Sequence, residues 1–128
     1  MIKWLEENKK FSVIFLAIIA VEIFLVSSLH GGKPTTGGIN LSVAYHIIIF
    51  LLFNFFLLIS LNKDQELTGK YLVVVLILSV AYAILDELHQ IFVPLRDASI
   101  KDVLIDSTGI FLSTLVYIYY KRKIRDIF

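Results

Sequence analysis

The sequence predicts an all-α integral membrane protein, a bundle of four transmembrane helices with both termini in the cytoplasm. Hydrophobic residues make up 58% of the 128-residue chain, and its mean hydropathy is +0.83. Four apolar segments are each long enough to cross about 30 Å of hydrocarbon. Lysine and arginine are concentrated on one side of these segments. We therefore expect residues 1–128 to form a single transmembrane domain in the cell membrane, surrounded by membrane lipids.

Charge and cysteine content narrow the classes of function. The formal net charge is +1, so the chain has no overall basic field that would attract nucleic acid. The chain has no cysteine, which excludes disulfides, thiolate metal sites and a cysteine nucleophile. We predict no cofactor and no resident metal.

The first predicted span covers residues 11–29 and follows a polar flank at residues 1–10. A signal peptide is the alternative for this segment, because two lysines precede it and two serines lie near its end. The segment lacks an A-x-A cleavage pattern and contains Glu22, so a membrane span is the better interpretation.

The second predicted span covers residues 41–61 and follows a loop at 30–40 that contains four glycines and a proline. His46 and Asn54 are its most polar residues. Because a polar amide inside a membrane bundle needs a partner, we expect Asn54 to form a hydrogen bond with a neighbouring helix.

The third predicted span covers residues 71–93 and follows a charged turn at 62–70. Its first part carries no charge, whereas its end is rich in polar residues. Pro94 ends this span, because proline disfavours helical backbone in the residue before it.

The fourth predicted span covers residues 102–120. Ser99 is a suitable N-cap for this helix, and Asp102 then lies near its positive end. Gly109 and Ser113 are four residues apart, which predicts close packing of this face against another helix.

Orientation follows from the basic residues that flank the spans. Nine lie on one side: Lys3, Lys9, Lys10, Lys63, Lys70, Lys121, Arg122, Lys123 and Arg125. Three lie on the other: Lys33, Arg96 and Lys101. Because four spans bring both termini to the same side, this excess places both termini in the cytoplasm. The polar residues between 86 and 106 then lie in the outer half of the bilayer.

These polar residues form a candidate site. A charged Asp or Arg at the centre of a span costs roughly 2.5–3.5 kcal/mol, so such groups mark functional sites by default. A four-helix bundle can direct residues from all four spans at one pocket. The candidates are Glu22, His46, Asp86, Glu87, Gln90, Arg96, Asp102 and Asp106.

The charges of this set do not balance. It contains five carboxylates and one arginine, and one guanidinium cannot support five ionised acids in a medium of low dielectric constant. We therefore expect that some of the acids are protonated, or that the site holds a cation or a cationic ligand.

The spacing of these residues resembles the signature of the VanZ-like membrane protein family. The matching pattern reads Glu87-x-x-Gln90-x-x-x-Pro94-x-Arg96, then Asp102-x-x-x-Asp106-x-x-Gly109. It covers roughly the second half of the chain, and His46 matches a histidine that the family tends to carry early in the second span. The resemblance implies a small integral membrane protein, and the founding member is associated with low-level resistance to teicoplanin, a lipoglycopeptide antibiotic.

The chain departs from the family pattern at four places. Leu95 stands where the family usually has glycine, Asp106 where it often has asparagine, and Ser113 where a second glycine is common. The lysine that often precedes the histidine is absent. These changes concern the geometry of the loop and the hydrogen bonds of the site.

The first functional hypothesis is a binding or shielding protein. Its pocket would engage a lipid-linked cell-wall precursor or a lipoglycopeptide at the outer membrane face. Pro94 and Gly109 would have structural roles. The ligand-binding candidates are His46, Glu87, Gln90, Arg96, Asp102 and Asp106.

The second hypothesis is an intramembrane hydrolase or transferase that acts on a lipid phosphate, and the sequence leaves open whether the protein is an enzyme. Arg96 would hold the phosphate, a carboxylate would act as base, and His46 or His89 would act as acid. A metal-dependent version would use Glu87, Asp102 and Asp106 as oxygen ligands. No serine has an evident base beside it, which disfavours a catalytic triad.

A proton or ion pathway is the third hypothesis. It is disfavoured because ionisable groups are scarce in the inner half of the predicted spans.

The predicted topology can be tested directly, since the chain has no native cysteine. Single cysteines are introduced in residues 31–38 and in residues 62–68, and intact cells are treated with an impermeant maleimide. We expect the first loop to be labelled and the second to be protected. The reverse pattern would place the candidate site on the cytoplasmic side.

Overall fold

The computed structural model describes residues 2–29, 41–62, 67–96 and 98–125, apart from the side chains of residues 124 and 125. These residues form no strand and five helices: α1 (Ile2–Glu7), α2 (Lys9–Ser27), α3 (Leu41–Leu61), α4 (Gly69–Gln90) and α5 (Ile100–Arg125). The last four are long and apolar enough to cross a membrane. The predicted fold class, all-α with four spans, is confirmed, and the side on which the termini lie stays a prediction. The predicted loop at 30–40 and residues 63–66 of the charged turn lie outside the described residues.

The polar flank at the N-terminus contains a helix that the sequence analysis did not predict. Leu5 and Glu6 of α1 are only 5% and 6% exposed. The Glu6 carboxylate accepts a hydrogen bond from the Tyr117 hydroxyl at 2.6 Å and forms an ion pair with Lys121 at 2.9 Å. These contacts tie α1 to the last turns of α5, which extends beyond the predicted end at residue 120.

The interior of the bundle holds both apolar and polar side chains, and many large apolar side chains lie on its outside, which suits a membrane environment. On α5 the buried residues recur at spacings of three and four, so they occupy one face of the helix. Large apolar side chains such as Leu112, Leu115 and Val116 are 45–62% exposed on its other faces. The buried face of α5 consists of Asp106, Gly109, Ile110, Ser113, Thr114 and Tyr117.

Gly109 lets the backbones of α3 and α5 meet. A Cβ atom at this position would clash with the carbonyl oxygen of Ile47 and lie 3.0 Å from the backbone nitrogen of Leu51. Only a hydrogen side chain therefore fits, and the close helix packing predicted for Gly109 is confirmed.

Asn54 lies at the centre of the bundle and is fully buried. Its amide nitrogen donates to the Ile110 carbonyl and to the Thr114 hydroxyl, both at 3.0 Å. Its amide oxygen accepts from the Ser79 hydroxyl at 2.8 Å. The predicted interhelical hydrogen bond of Asn54 is thus confirmed, and one side chain links α3, α4 and α5.

The third span ends earlier than predicted, at Gln90 rather than at Val93. After Gln90 the backbone forms tighter turns than an α-helix. The N–H of Phe92 donates to the carbonyl of His89, and the N–H of Val93 donates to the carbonyl of Gln90. These i to i+3 bonds are typical of a helix end. The helix therefore ends three residues before Val93, the residue whose helical backbone Pro94 disfavours.

Residues 93–96 have the features of a type II turn. Pro94 occupies the second position, Leu95 has φ +63°, and the Arg96 N–H donates to the Val93 carbonyl at 3.2 Å. A positive φ at the third position favours glycine, the residue that the family usually has there. Leu95 adopts the same left-handed backbone at a conformational cost of roughly 1–2 kcal/mol.

Helix α5 begins at Ile100, directly after the predicted N-cap Ser99 and two residues before the predicted membrane span. The Ser99 hydroxyl accepts a hydrogen bond from the Lys101 N–H at 3.1 Å, which confirms Ser99 as the N-cap. Asp102 lies in the first turn, close to the positive end of the helix.

The contact at Gly109 predicts a large effect for the smallest possible substitution. Gly109→Ala forces α3 and α5 apart, so we expect it to lower the free energy of unfolding by about 1–3 kcal/mol, the usual cost of overpacking. Gly69→Ala is the matched control, because no atom lies within 4 Å of the added methyl group. Thermal unfolding of the purified proteins measures both. Equal stability of Gly109→Ala and the wild type would contradict the close contact.

Candidate functional site

A pocket of about 290 Å³ lies at the end of the bundle where α2 and α4 end and α3 and α5 begin, which we call the pocket end. Its apolar lining comprises Ile23, Val26, Leu41, Ile49 and Phe50. Its polar lining comprises Ser27, Ser42, Tyr45, His46, Asp86, Gln90 and Arg96. The pocket therefore combines a wall suited to hydrocarbon with groups that bind charged or hydrogen-bonding ligands.

Three of the six predicted ligand-binding residues line this pocket: His46, Gln90 and Arg96. Glu87, Asp102 and Asp106 lie nearby on α4 and α5 but are not part of the described lining. Direct contact of any of the six with a ligand stays a prediction.

His46 and Asp106 form a buried pair between α3 and α5. The Nδ1 atom of His46 lies 2.8 Å from Oδ1 of Asp106, and Asp106 is fully buried. When Asp106 is ionised it can only accept, so Nδ1 carries the hydrogen and Nε2 of a neutral His46 remains an acceptor. The other oxygen of Asp106 has no hydrogen-bond partner among the described residues. Asp106 thus fixes the ring that lines the pocket.

Gln90 connects the acids of α4 to Arg96. Its amide nitrogen donates to Oδ2 of Asp86 and to Oε1 of Glu87, both at 3.1 Å. Its amide oxygen accepts from Nη1 of Arg96 at 3.1 Å. Because the amide has two N–H donors and one oxygen, this arrangement sets its orientation in the pocket wall.

Arg96 ties the turn after α4 to the end of α2. Besides Gln90, it donates to the backbone oxygens of Val26 at 3.1 Å and Leu29 at 3.3 Å. Cations stabilise the C-terminal end of a helix, so part of the role of Arg96 is structural. These three bonds leave two of the five guanidinium N–H donors for another partner.

Glu87 holds the start of α5. Its Oε2 atom accepts from the Ser99 N–H at 2.8 Å, while Oε1 accepts from Gln90. Both oxygens are therefore occupied within the protein, and the side chain is only 4% exposed. Glu87 satisfies a backbone donor at the helix start that would otherwise be unpaired.

The structure does not gather all five predicted carboxylates. Glu22 is exposed on α2 and is absent from the described pocket lining, which corrects the expectation that all four spans direct acids at one pocket. The physical reason is the rotation of α2 about its axis. The helix turns Ile19 and Ile23 towards the bundle, and Glu22 lies outside this buried face. Asp86, in contrast, is 8% exposed and lines the pocket.

Asp86 and Tyr45, two residues of the pocket lining, were not among the predicted ligand-binding residues. Asp86 was a candidate of the site but was left out of that set, although its position one helical turn before Gln90 puts both on one face of α4. Tyr45 also lines the pocket, and its hydroxyl is buried without a hydrogen-bond partner in the described part of the chain.

A serine–histidine pair also lies at the pocket end, contrary to the expectation that no serine has a base beside it. The Ser28 hydroxyl lies 2.9 Å from Nε2 of His89, whose ring packs on Phe24 with 4.6 Å between centroids. The same hydroxyl lies 2.6 Å from the Phe24 carbonyl, and its single hydrogen can go to only one of these acceptors. The sequence could not show the pair because 61 residues separate its members.

Within the described ranges, no group of three or more His, Cys, Asp or Glu side chains has a geometry that could hold a metal ion. The structure therefore does not bring Glu87, Asp102 and Asp106 together as the ligand set of the metal-dependent hypothesis.

Comparison with known proteins identifies the family. No curated protein and no solved structure shows significant similarity to the chain. The family model of VanZ/LLP1 matches residues 5–121, a range that includes the four candidate spans nearly completely and every residue of the pocket lining. This match confirms the resemblance seen in the sequence motif. The chain is thus a multi-pass membrane protein that belongs to the VanZ/LLP1 family.

Proposed function

We propose that this protein binds or shields an amphiphilic ligand, a lipid-linked cell-wall precursor or a lipoglycopeptide, in the outer half of the cell membrane. The observation that carries the proposal is the pocket of about 290 Å³, in which apolar and charged side chains face the same space. Family membership supports a link to glycopeptide resistance of the teicoplanin type. The excess of basic residues on the opposite side of the spans supports the outer location.

The apolar and polar parts of the pocket suit different parts of such a ligand. Ile23, Val26 and Phe50 offer a surface for hydrocarbon, whereas His46, Asp86 and Arg96 offer charge and hydrogen bonds. Charge-assisted hydrogen bonds are about twice as strong as neutral ones, so the polar groups would fix the headgroup. A ligand held in this way is withdrawn from other partners at the membrane surface, which is the basis of shielding.

A second candidate function is a hydrolase or transferase that acts on a lipid phosphate, and the Ser28–His89 hydrogen bond favours it. Ser28 Oγ would attack phosphorus while its proton passes to Nε2 of His89. The bond from phosphorus to the leaving oxygen would break, and His89 would return the proton to that oxygen. Water, or an acceptor alcohol in a transferase, would then displace the phosphoryl group from Ser28 Oγ, and its proton would pass through His89 back to Ser28. Arg96, which bonds to the carbonyls of Val26 and Leu29 on either side of Ser28, would hold the phosphate.

Blocking the pocket tests the binding function. Ser42 lines the pocket and is exposed, so Ser42→Trp fills the space without disturbing the core. We expect it to weaken binding of lipid-linked precursor or teicoplanin at least ten-fold, because the ligand loses its site. Ile48→Trp is the matched control, since Ile48 is 57% exposed on the same helix and outside the pocket. Native mass spectrometry of the purified protein measures the bound fraction, and equal binding by both variants would contradict the proposal.

The same samples separate binding from catalysis. Incubation with lipid phosphates and lipid-linked precursors, followed by mass spectrometry of products, reveals any turnover. A binding protein yields no product, and Ser28→Ala leaves its ligand affinity nearly unchanged. Turnover that Ser28→Ala and His89→Ala both abolish would instead establish the hydrolase or transferase.

A further inference from the structure

Two opposite charges line the same pocket without pairing with each other. Asp86 and Arg96 both contact the side-chain amide of Gln90, one at its nitrogen and the other at its oxygen, each at 3.1 Å. The salt bridges within the described residues do not include this pair. Gln90 therefore holds an anion and a cation at separate, fixed positions in one pocket wall.

Both charged groups have hydrogen-bonding capacity that the described residues leave unused. Arg96 donates three hydrogen bonds of a possible five. Oδ2 of Asp86 accepts from Gln90, and Oδ1 accepts from no described residue. The Tyr45 hydroxyl, buried at the same pocket, is likewise without a partner in the described part of the chain. Unpaired polar groups at low dielectric are costly, so a ligand that satisfies them gains affinity.

The size and the walls of the pocket limit what can enter. Its volume of about 290 Å³ lies at the lower end of the range for small-molecule pockets, roughly 300–1,000 Å³. That space suits a headgroup rather than a whole lipid or a glycopeptide. Ile23, Val26, Ile49 and Phe50 complete the lining, so the part of the ligand next to the headgroup is apolar.

We propose that the pocket takes a zwitterionic headgroup that carries a primary amine and a phosphate, with the amine at Asp86 and the phosphate at Arg96. This inference goes beyond the two ligands named in the proposed function: it rests only on the binding of an amphiphile in this pocket, and it assigns that amphiphile to the phospholipids. An anionic headgroup without an amine leaves Asp86 unpaired beside the phosphate, and a simple cation leaves Arg96 unpaired. The apolar lining assigns the headgroup to a phospholipid rather than to free phosphoethanolamine.

The test compares lipids that differ only in the headgroup. Purified, delipidated protein is offered phosphatidylethanolamine, its N-acetyl derivative or phosphatidylglycerol, all with the same acyl chains, and retention is measured by native mass spectrometry. We expect wild-type protein to retain phosphatidylethanolamine at least ten-fold more strongly than the other two. Asp86→Asn keeps the acceptor for Gln90 but removes the charge, so the preference should fall to about two-fold or less. Thermal unfolding verifies that this variant is folded.

Glu22→Gln is the matched control, because it neutralises an exposed carboxylate outside the pocket lining. It should retain the full preference for phosphatidylethanolamine. Addition of free phosphoethanolamine tests whether the pocket binds the headgroup alone or as part of a phospholipid. We expect that millimolar concentrations do not displace the lipid.

The outcomes separate this inference from the proposed function. Equal retention of the three lipids by wild-type protein, or an unchanged preference in Asp86→Asn, overturns the zwitterion assignment while Ser42→Trp still blocks ligand binding. Displacement by free phosphoethanolamine overturns the lipid assignment. If no lipid, precursor or lipoglycopeptide is retained and Ser42→Trp changes nothing, the proposed function itself fails.

Discussion

The contact between α3 and α5 at Gly109 is the packing constraint on which the rest of the bundle depends. With no side chain between them, the two backbones approach until a Cβ atom no longer fits. At that distance short polar side chains can reach across the interface, and they do so at three depths along helices that run in the same direction. The pairs are His46 with Asp106, Asn54 with Thr114, and Asn62 with Tyr117. His46, Asn54 and Asn62, the last of which directly follows α3, are spaced eight residues apart, or about 12 Å per step along a helix.

This arrangement explains how a membrane-length bundle tolerates so many buried polar groups. Water is absent from the hydrocarbon region, so each polar group needs a partner within the protein. At the centre and at the α1 end those partners are supplied by Asn54 and by the Glu6–Lys121 pair. Four buried oxygens lack a hydrogen-bond partner among the described residues: those of Tyr45 and Asp106 near the pocket end, Ser113 near the centre and Ser60 towards the α1 end. Of these four residues, Tyr45 lines the pocket.

The sequence predicted the fold well because hydropathy and segment length determine it almost alone. The roles of Asn54, Gly109 and Ser99 were also predictable, since each follows from local chemistry. The sequence could not show that Glu22 faces outwards on α2, nor that Ser28 meets His89. Both depend on how helices distant in sequence are rotated and packed against each other. Helix α1 was missed because its burial depends on Glu6 meeting Lys121, two residues that are charged and look like a solvated flank.

The central claim is that the pocket end selects a particular amphiphile from the membrane. A photoreactive benzoylphenylalanine in place of Tyr45, which lines the pocket, samples its occupant in living cells. The same residue in place of Ile48, which is 57% exposed on the same helix, samples bulk lipid. Mass spectrometry of the cross-linked protein should find one discrete amphiphile at position 45 and the ordinary mixture of membrane lipids at position 48. The same mixture at both positions would contradict a selective pocket.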